Sequence, residues 1–362
     1  DFIMKKIVLT GGGTAGHVTP NIALLPALQA AGYEIAYVGS YEGIEKKLIA
    51  DFNIPYTGIS TGKFRRYLDP KNFSDPFRVM KGFVEARNYL KNYQPDVVFS
   101  KGGFVSVPVV RAAASLHIPC IIHESDMTPG LANKLCIPVA EKVCCNFPET
   151  MKNIPADKAV LTGSPIRAEL AQGSRLAGLN MCGFTANKPV IMVIGGSLGA
   201  ANVNKAVRDA LPKLLEDFQV VHLCGKDKID NLLLNTPGYK QFEYIKAELK
   251  DIFAMADVVI SRAGANTICE LLALKKPNIL IPLPAASSRG DQLLNAASFE
   301  AQGYSIVLNE DDITTNLLVD KVHELYFNRQ NYVEAMSRSH QMDAINTIML
   351  LINEAANKSH TQ

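Results

Sequence analysis

The chain has 362 residues, of which 48% are hydrophobic and 20% are charged. One hydrophobic core stops growing near ~250–300 residues, so this length predicts two domains, and the composition excludes a disordered or fibrous chain. The 37 basic and 35 acidic residues leave a net charge of +2, which argues against nucleic acid as a partner because nucleic-acid-binding proteins usually carry a basic excess.

Several features of the sequence bear on its cellular compartment. No apolar run approaches the ~18 residues of a membrane span. No N-terminal segment has the zones of a signal peptide, so we expect the chain to stay in the cytosol. The seven cysteines form no CxxC pair, and several lie in apolar runs. Buried, reduced thiols are therefore favoured over zinc ligands or disulfide bonds.

Short apolar runs alternate with longer helical patterns along the whole chain. Continuous apolar runs are typical of strands buried on both faces, and helices between them predict parallel sheets. The runs are residues 7–9, 35–38, 97–99, 120–122, 143–145, 190–194, 220–223, 258–260 and 278–281.

This pattern starts again halfway along the chain. Residues 5–10 lead into the glycine turn 11–16, and residues 189–194 lead into a second glycine turn, 195–200. A strand, a glycine turn and a helix start are the first unit of a doubly wound domain. We therefore predict an N-terminal domain over residues 4–163 and a C-terminal domain over 164–340, with the last helix, about 341–357, packing back on the first.

Glycine turns before a helix attract anions, because the backbone can approach a ligand and the free N–H groups point at it. Either turn alone could be an ordinary strand-to-helix connection, but two at matching positions favour a cleft with a ligand. The strand after the first turn ends at Tyr37–Ser40 without the acidic residue that binds an adenosine ribose, which disfavours a dinucleotide oxidoreductase. GxxxxGK[ST] is absent, which disfavours a P-loop enzyme.

The segment 12–20, Gly-Gly-Thr-Ala-Gly-His-Val-Thr-Pro, resembles the opening motif of the MurG family, bacterial N-acetylglucosaminyltransferases of peptidoglycan synthesis. Further blocks resemble the family in the same order, and the match extends from Met4 to about residue 350. These blocks are residues 102–106, 123–126, 130–134, 163–167, 195–200, 261–270 and 291–295.

The resemblance implies a GT-B fold, an α/β architecture with two Rossmann-like, doubly wound parallel-sheet domains facing a cleft. It implies inverting transfer of GlcNAc from UDP-GlcNAc to the C4 hydroxyl of MurNAc in lipid I, giving lipid II and UDP. No cofactor or metal is expected to be required. An epimerase of sugar nucleotides on the same architecture and a non-catalytic UDP-sugar-binding module are the alternatives.

Inverting transfer needs a base that takes the acceptor proton. His17 could merely cap its helix, but the resemblance implies an acceptor-side role. Glu124 and Asp126 follow an apolar strand and are rival bases, or orient the base. The resemblance places acceptor contacts at Thr14, His17, Phe104, His123, Asp126 and Asn133, although His123 could equally be structural.

On the donor side, the resemblance implies that Ser197 and its turn bind the diphosphate, Glu270 the ribose and the backbone of Ile245 the uracil. Gln292 and Asn295 would contact the GlcNAc hydroxyls, and Arg167 would neutralise phosphate or brace the hinge. The remaining implied donor contacts are Thr14, Ala15, Gly16, Ala265, Asn266 and Thr267.

The sequence departs from the usual family pattern at Ala15, Phe104, Asp126 and Leu198, where glycine, tyrosine, asparagine and glutamine are common. A Cβ at Ala15 would restrict positive φ, so we expect some loss of loop flexibility there. Asp126 adds a negative charge near the expected acceptor pyrophosphate.

Residues 63–94 contain eight basic and three acidic residues with interleaved aromatic side chains. Basic side chains favour an anionic lipid surface and aromatic groups its interface. We therefore predict a peripheral protein on the cytoplasmic face of the plasma membrane, in contact with the anionic inner leaflet. A solvated helix with one packed apolar side is the alternative. Other proteins of cell-wall synthesis or division are further expected partners.

Overall fold

The structure of the protein is a computed structural model that describes residues 4–62, 71–195, 200–286, 290–341 and 343–359, with the backbone alone for 71–75. The chain divides into two compact units, Asp1–Arg167 with Asp343–Gln362, and Ala168–Met342. The division after Arg167 lies four residues beyond the boundary drawn from the sequence.

The first unit is built on a seven-stranded parallel sheet of order β3-β2-β1-β4-β5-β6-β7. Its strands are β1 (Lys6–Thr10), β2 (Glu34–Ser40), β3 (Tyr56–Ile59), β4 (Val97–Ser100), β5 (Cys120–Glu124), β6 (Lys142–Cys145) and β7 (Ala159–Leu161). Its helices up to this point are α1 (Thr19–Ala30), α2 (Ile44–Ile49), α3 (Lys71–Tyr93), α4 (Ser106–Ser115) and α5 (Leu131–Cys136).

This sheet is buried on both faces, which explains its continuous apolar sequences. In β1, Ile7 and Leu9 enter the core under α1, whereas Val8 enters the core shared with α3 and α4. All three side chains are fully buried. Alternate residues of a strand point to opposite faces, so a strand with two covered faces needs apolar side chains at every position.

The second unit is built on a six-stranded parallel sheet of order β10-β9-β8-β11-β12-β13. Its strands are β8 (Val190–Ile194), β9 (Gln219–Leu223), β10 (Tyr239–Phe242), β11 (Val258–Ser261), β12 (Asn278–Leu280) and β13 (Ser305–Val307). Its helices are α6 (Arg175–Cys182), α7 (Ala201–Asp217), α8 (Leu249–Met255), α9 (Ala265–Ala273), α10 (Asp291–Ala301), α11 (Thr315–Phe327) and α12 (Arg329–Ser337).

The strand orders confirm the predicted α/β class with two Rossmann-like parallel sheets. In each sheet the first strand lies at the point where the strand order reverses, between β2 and β4 or between β9 and β11. Open parallel sheets bind ligands outside the carboxyl ends of the strands at this point. The fold therefore directs attention to the segments that follow β1, β4, β8 and β11.

The last helix, α13 (Ala344–Lys358), belongs to the first unit. Ile348 and Ile352 are fully buried in the core that contains Ile7, Leu9 and the α1 side chains. The helix is amphipathic, because Leu350 between them is 64% exposed. The chain therefore returns to the first unit after the second, and α13 completes the core of the first unit.

The cysteines and the helices bear on two sequence expectations. All seven cysteines are buried as free thiols, as predicted. In the part of the chain that the structure describes, no helix is both long enough and apolar enough to cross a membrane.

Replacing Ile352 by alanine should lower the free energy of unfolding by ~2–5 kcal/mol, because it leaves a cavity in a fully buried site. Leu350→Ala, in the same helix but exposed, should change it by less than about 0.5 kcal/mol. Urea unfolding followed by circular dichroism measures both values. Equal losses would mean that α13 does not pack as described.

Candidate active site

Three polar segments lie together at the carboxyl edge of the first sheet. They follow β1, β4 and β5, which are neighbours in the order β1-β4-β5. They comprise residues 11–17, 101–104 and 125–130. Most acceptor-side residues expected from the sequence belong to these segments.

The first two segments touch through their glycines. The Gly12 N–H donates to the Gly102 carbonyl at 3.2 Å. A Cβ added at Gly103 would lie 2.2 Å from the Gly12 oxygen, so only glycine fits there. Gly11 and Gly13 have φ of 147° and 87°, whereas Ala15 lies in a 3₁₀ helix, Ala15–His17, without positive φ. Ala15 therefore has a backbone conformation open to any residue, and the expected loss of loop flexibility there stays a prediction.

The geometry of His17 suits a proton acceptor. Its Nδ1 lies 2.9 Å from the Gly12 carbonyl oxygen and 3.2 Å from Thr14 Oγ1. A carbonyl only accepts, so we infer that Nδ1 carries the proton and Nε2 keeps its lone pair. Burial, and then the Lys101 ammonium, lower the pKa of His17. The ring is therefore neutral at pH 7 and able to take a proton.

His123 is arranged differently from His17. The side chain is fully buried, its Nε2 donates to the Gly163 carbonyl at 2.7 Å, and its Nδ1 lies 2.8 Å from Lys101 Nζ. Burial and Lys101 hold the pKa of His123 well below its ordinary value, so Nδ1 accepts from the lysine. If this ring bound the acceptor substrate, it would lose its hydrogen bond to Gly163 or to Lys101. The geometry therefore favours a structural role for His123.

Lys101 itself was missed by the sequence analysis. It follows β4, is 1% exposed, and also donates to Ser125 Oγ. Lysine is rarely buried to this extent without hydrogen-bonded partners. In the sequence it stands between an apolar strand and two glycines. That position is equally compatible with a buried and with a solvated lysine, so the sequence did not identify it.

The two rival carboxylates occupy different environments. Glu124 is 4% exposed and accepts from the backbone N–H groups of Asp126, at 3.1 Å, and Gly130, at 2.8 Å. Burial and the Asp126 charge raise the pKa of Glu124. Glu124 thus closes the loop after β5, whereas Asp126 is exposed.

Asn133 and Phe104 border this loop. Asn133 is 5% exposed, and its Nδ2 donates to the His123 carbonyl at 3.3 Å. Its Oδ1 is buried and accepts no hydrogen bond from the described residues. Phe104 is half-buried and packs against the core under α4, and Thr14 is exposed.

Glu45 is a second buried charge that the sequence analysis missed. It is the second residue of α2, is 1% exposed, and accepts from the Gly13 N–H at 3.3 Å. Its other oxygen accepts from the Ser40 N–H at 2.9 Å and from the Ser40 hydroxyl at 2.5 Å. A Cβ at Gly12 would lie 2.4 Å from Glu45 Cδ, so this glycine gives the carboxylate its space.

In the second unit, the N-terminus of α9 follows β11. Ala265, Asn266 and Thr267 form its first turn and are half-buried. The first N–H groups of a helix lack intrahelical partners and favour an anion. Glu270 is half-buried further along the same helix.

Two amides of α10 hold the turn before α9. Gln292 Oε1 accepts from the Ala263 N–H at 3.2 Å and the Leu283 N–H at 2.9 Å. Asn295, 2% exposed, donates from Nδ2 to the Ala263 carbonyl at 3.0 Å. Both backbone groups of Ala263 are thus fixed by side chains that the sequence analysis assigned to sugar hydroxyls. These amide atoms are therefore occupied by backbone hydrogen bonds.

The other predicted donor contacts are scattered along the chain. Ile245 is half-buried between β10 and α8, and Arg167 is exposed at the end of the first unit's main segment. Ser197 and Leu198 lie outside the described residues. Gly16 is half-buried in the 3₁₀ helix of the first unit. Within the described ranges, no three His, Cys, Asp or Glu side chains are grouped to hold a metal ion.

A buried ion pair supports the carboxyl edge of the second sheet. Arg262 Nη2 lies 2.5 Å from Glu310 Oε1, and the two side chains are 9% and 11% exposed. Arg262 Nη1 donates to the carbonyls of Ile281 and Pro282. The guanidinium therefore joins the segments after β11 and β12, just before the α9 N-terminus.

Both halves of the chain match models of one protein family. Residues 7–145 match the glycosyltransferase family 28 N-terminal domain, and residues 190–349 match the glycosyltransferase family 28 C-terminal domain. The chain therefore belongs to glycosyltransferase family 28.

Relatives within this family agree on one activity. A protein from Lachnospira eligens is 64% identical over 97% of this chain and 99% of its own length. One from Clostridium botulinum (strain Hall) is 56% identical over the same shares. Both are named UDP-N-acetylglucosamine–N-acetylmuramyl-(pentapeptide) pyrophosphoryl-undecaprenol N-acetylglucosamine transferase. The resemblance to the MurG family is confirmed.

Solved structures agree with this assignment. The crystal structure of Acinetobacter baumannii MurG matches with a TM-score of 0.77 at 28% identity, covering 97% of this chain and 99% of that one. A UDP-GlcNAc 2-epimerase from Neisseria meningitidis matches with a TM-score of 0.68 at 15% identity, covering 97% and 100%. That second likeness shows the fold alone. The predicted GT-B class is confirmed.

Replacing Glu310 by alanine should lower the free energy of unfolding by ~3–5 kcal/mol, because it leaves the buried Arg262 guanidinium without its counter-ion. Asp209→Ala, which removes an exposed partner of Lys205, should cost less than about 1 kcal/mol. Urea unfolding monitored in the second unit compares the two. Similar costs would contradict the role given to the buried pair.

Proposed function

We infer that this protein transfers GlcNAc from UDP-GlcNAc to the C4 hydroxyl of MurNAc in lipid I. The transfer inverts the configuration at the anomeric carbon and yields lipid II and UDP for peptidoglycan synthesis. The observation that carries this function is 64% identity, over nearly the whole of both chains, to a protein named for this transfer.

We place acceptor activation in the first unit, at His17. The acceptor hydroxyl oxygen attacks the anomeric carbon, its proton passes to His17 Nε2, and UDP leaves with the electrons of the broken C–O bond. The hydrogen bond from Nδ1 to Gly12 holds the tautomer that this step needs. The lowered pKa of His17 keeps the ring in its basic form at neutral pH.

Glu124, Asp126 and Asn133 have supporting places in this proposal. Glu124 shapes the loop after β5 through the N–H groups it accepts, and so places the exposed Asp126 carboxylate. His123 and Lys101 anchor the same loop through Ser125. Asn133 supports the same loop through the hydrogen bond from its Nδ2 to the His123 carbonyl.

We place the donor in the second unit, with the diphosphate at the turn containing Ser197 and at the N-terminus of α9. Glu270 would accept the ribose hydroxyls, the Ile245 backbone would contact uracil, and Arg167 would neutralise phosphate. Helix N-termini stabilise phosphate charge, so we propose that the leaving group needs no metal. Gln292 and Asn295 hold this turn. The Gln292 side-chain N–H groups would contact the sugar, whereas the buried Asn295 would act by fixing Ala263.

Incubation with UDP-GlcNAc and a lipid I analogue should give the disaccharide lipid and UDP at equal rates, with or without a chelator. His17→Ala should lower turnover by ~10²–10⁴-fold, the usual share of a general base, while the thermal unfolding curve is kept. Turnover in the wild type should fall only below pH 6.5, because protonation through a lowered pKa removes the base.

Three results would contradict this function. UDP-GlcNAc consumed without acceptor would indicate an epimerase, and binding without turnover would indicate a non-catalytic module. Full turnover of the His17→Ala variant would remove His17 from the proton transfer.

We further propose that the protein binds the anionic inner leaflet at the cytoplasmic face of the plasma membrane through α3. Phe77, Met80 and Val84 are 77%, 63% and 52% exposed and are spaced along one helix face. Arg78 and Lys81 are exposed beside them. Ala86 and Leu90, on the side toward the core, are buried. Residues 63–70 of the predicted basic segment lie outside the described residues.

Sedimentation with vesicles containing phosphatidylglycerol should separate two contributions. Reversing Arg78 and Lys81 to glutamate should weaken binding by about tenfold or more, because each basic residue contributes ~1 kcal/mol at an anionic surface. Phe77→Ser with Met80→Ser should weaken binding to neutral vesicles as well. Leu232→Ser, which removes a leucine that is 94% exposed in the second unit, is the matched control. Unchanged sedimentation of both α3 variants would place membrane contact elsewhere.

A further inference from the structure

We propose that Glu45 is a positioning residue for His17 and acts through the single peptide unit that joins Gly12 to Gly13. This inference rests on the proposed function, in which His17 takes the proton of the acceptor hydroxyl. It gives a task to a buried carboxylate that the proton transfer does not otherwise use.

The carbonyl of Gly12 and the N–H of Gly13 belong to the same trans peptide. A trans peptide is planar, so these two groups point in opposite directions. The carbonyl accepts from His17 Nδ1 at 2.9 Å, and the N–H donates to Glu45 Oε2 at 3.3 Å. The carboxylate and the imidazole are therefore hydrogen-bonded to opposite edges of the same peptide group.

Glu45 is fixed in this position by its surroundings. Its second oxygen accepts two hydrogen bonds from Ser40. A Cβ at Gly12 or at Gly43 would lie within about 2.5 Å of the carboxyl group, so both residues have to be glycine for it to sit there. The side chain is 1% exposed, and hydrogen bonds of a charge are stronger where water is excluded.

The charge of Glu45 reaches His17 along this peptide. A carboxylate that accepts from the Gly13 N–H polarises the peptide and makes the Gly12 oxygen a better acceptor. That oxygen then holds the Nδ1 proton in place and stabilises the imidazolium that forms when Nε2 takes a proton. Triads place an acid directly on the histidine for this purpose, whereas here one peptide lies between them.

Lys101 opposes this effect. A Cβ at Gly11 would lie 3.0 Å from Lys101 Cβ, just as one at Gly12 would lie against Glu45. Two adjacent glycines therefore contact two buried side chains of opposite charge. The pKa of His17 is lowered by burial and by Lys101, and raised by the Gly12 hydrogen bond and by Glu45.

Other groups around His17 contribute less charge. His123 on β5 is neutral, for the reasons given above. Helix α1, which packs on the 3₁₀ helix, contains no charged residue. Lys46 and Lys47 of α2 are exposed.

The test is Glu45→Gln, which keeps the side-chain volume but removes the negative charge. It also replaces one of the two accepting oxygens by an NH₂ group, although Ser40 and the Gly13 N–H both need an acceptor. Turnover should fall by about 10- to 100-fold, within the ~10²–10⁴-fold share of the base itself, with the KM for UDP-GlcNAc unchanged. The acid limb of the pH profile should move to lower pH, and Lys101→Met should move it to higher pH. Glu42→Gln, at an exposed carboxylate three residues earlier, should change neither quantity.

A double variant separates positioning from a general structural effect. If Glu45 acts through His17, Glu45→Gln should cost nothing further in the His17→Ala background, measured by single-turnover transfer. The same loss in both backgrounds, an unmoved acid limb or unchanged turnover would each overturn the proposal. If Glu45→Gln does not fold, Ser40→Ala, which removes one donor to the carboxylate, should give a smaller loss that also vanishes without His17.

These outcomes differ from failure of the proposed function. In that case the wild type would transfer no GlcNAc, or His17→Ala alone would leave transfer intact.

Discussion

The first sheet's carboxyl edge depends on the close approach of two glycine turns. Gly103 comes so near the Gly12 carbonyl that a single Cβ would not fit between them. This contact fixes the peptide whose carbonyl accepts the hydrogen bond from His17 Nδ1. It also brings the segment after β4, and with it Lys101, against the segment after β1. The geometry of this edge is therefore set by backbone packing, and the polar side chains are arranged around it.

Buried charges then stabilise these turns in both units. Glu45 holds the first turn, Lys101 ties β4 to the loop after β5, and Arg262 joins the segments after β11 and β12. Each charged side chain is largely out of water and is hydrogen-bonded to backbone groups, to neutral side chains or to a counter-charge, which offsets the cost of burial. The loops after β1, β5, β11 and β12 are thus held by buried charged side chains.

The sequence predicted the interior strands and missed the edge strands, for a physical reason. Nine strands appear as continuous apolar runs because both of their faces are covered. The four others, β3, β7, β10 and β13, are the outermost strands of the two sheets. Sequences such as Tyr-Lys-Gln-Phe in β10 carry less apolar character because an edge strand has only one neighbour.

For the site, residue types in a motif identified the chemistry, but they did not show the direction of each side chain. His17 and His123 look alike in sequence, yet one keeps a free ring nitrogen and the other uses both. Gln292 was expected to contact a sugar, and the structure adds that its Oε1 holds a backbone turn. Glu45 and Lys101 resemble ordinary solvated charges until the fold buries them.

The return of α13 to the first unit has a consequence for the order of events at the ribosome. The second unit is a continuous stretch of chain and is complete once residue 342 has emerged. The first unit lacks Ile348 and Ile352 until α13 has been synthesised, so the core beneath β1 stays open while the whole second unit is made. The core of the first unit therefore closes after the second unit is complete, and a chain that stopped before α13 would leave that core open.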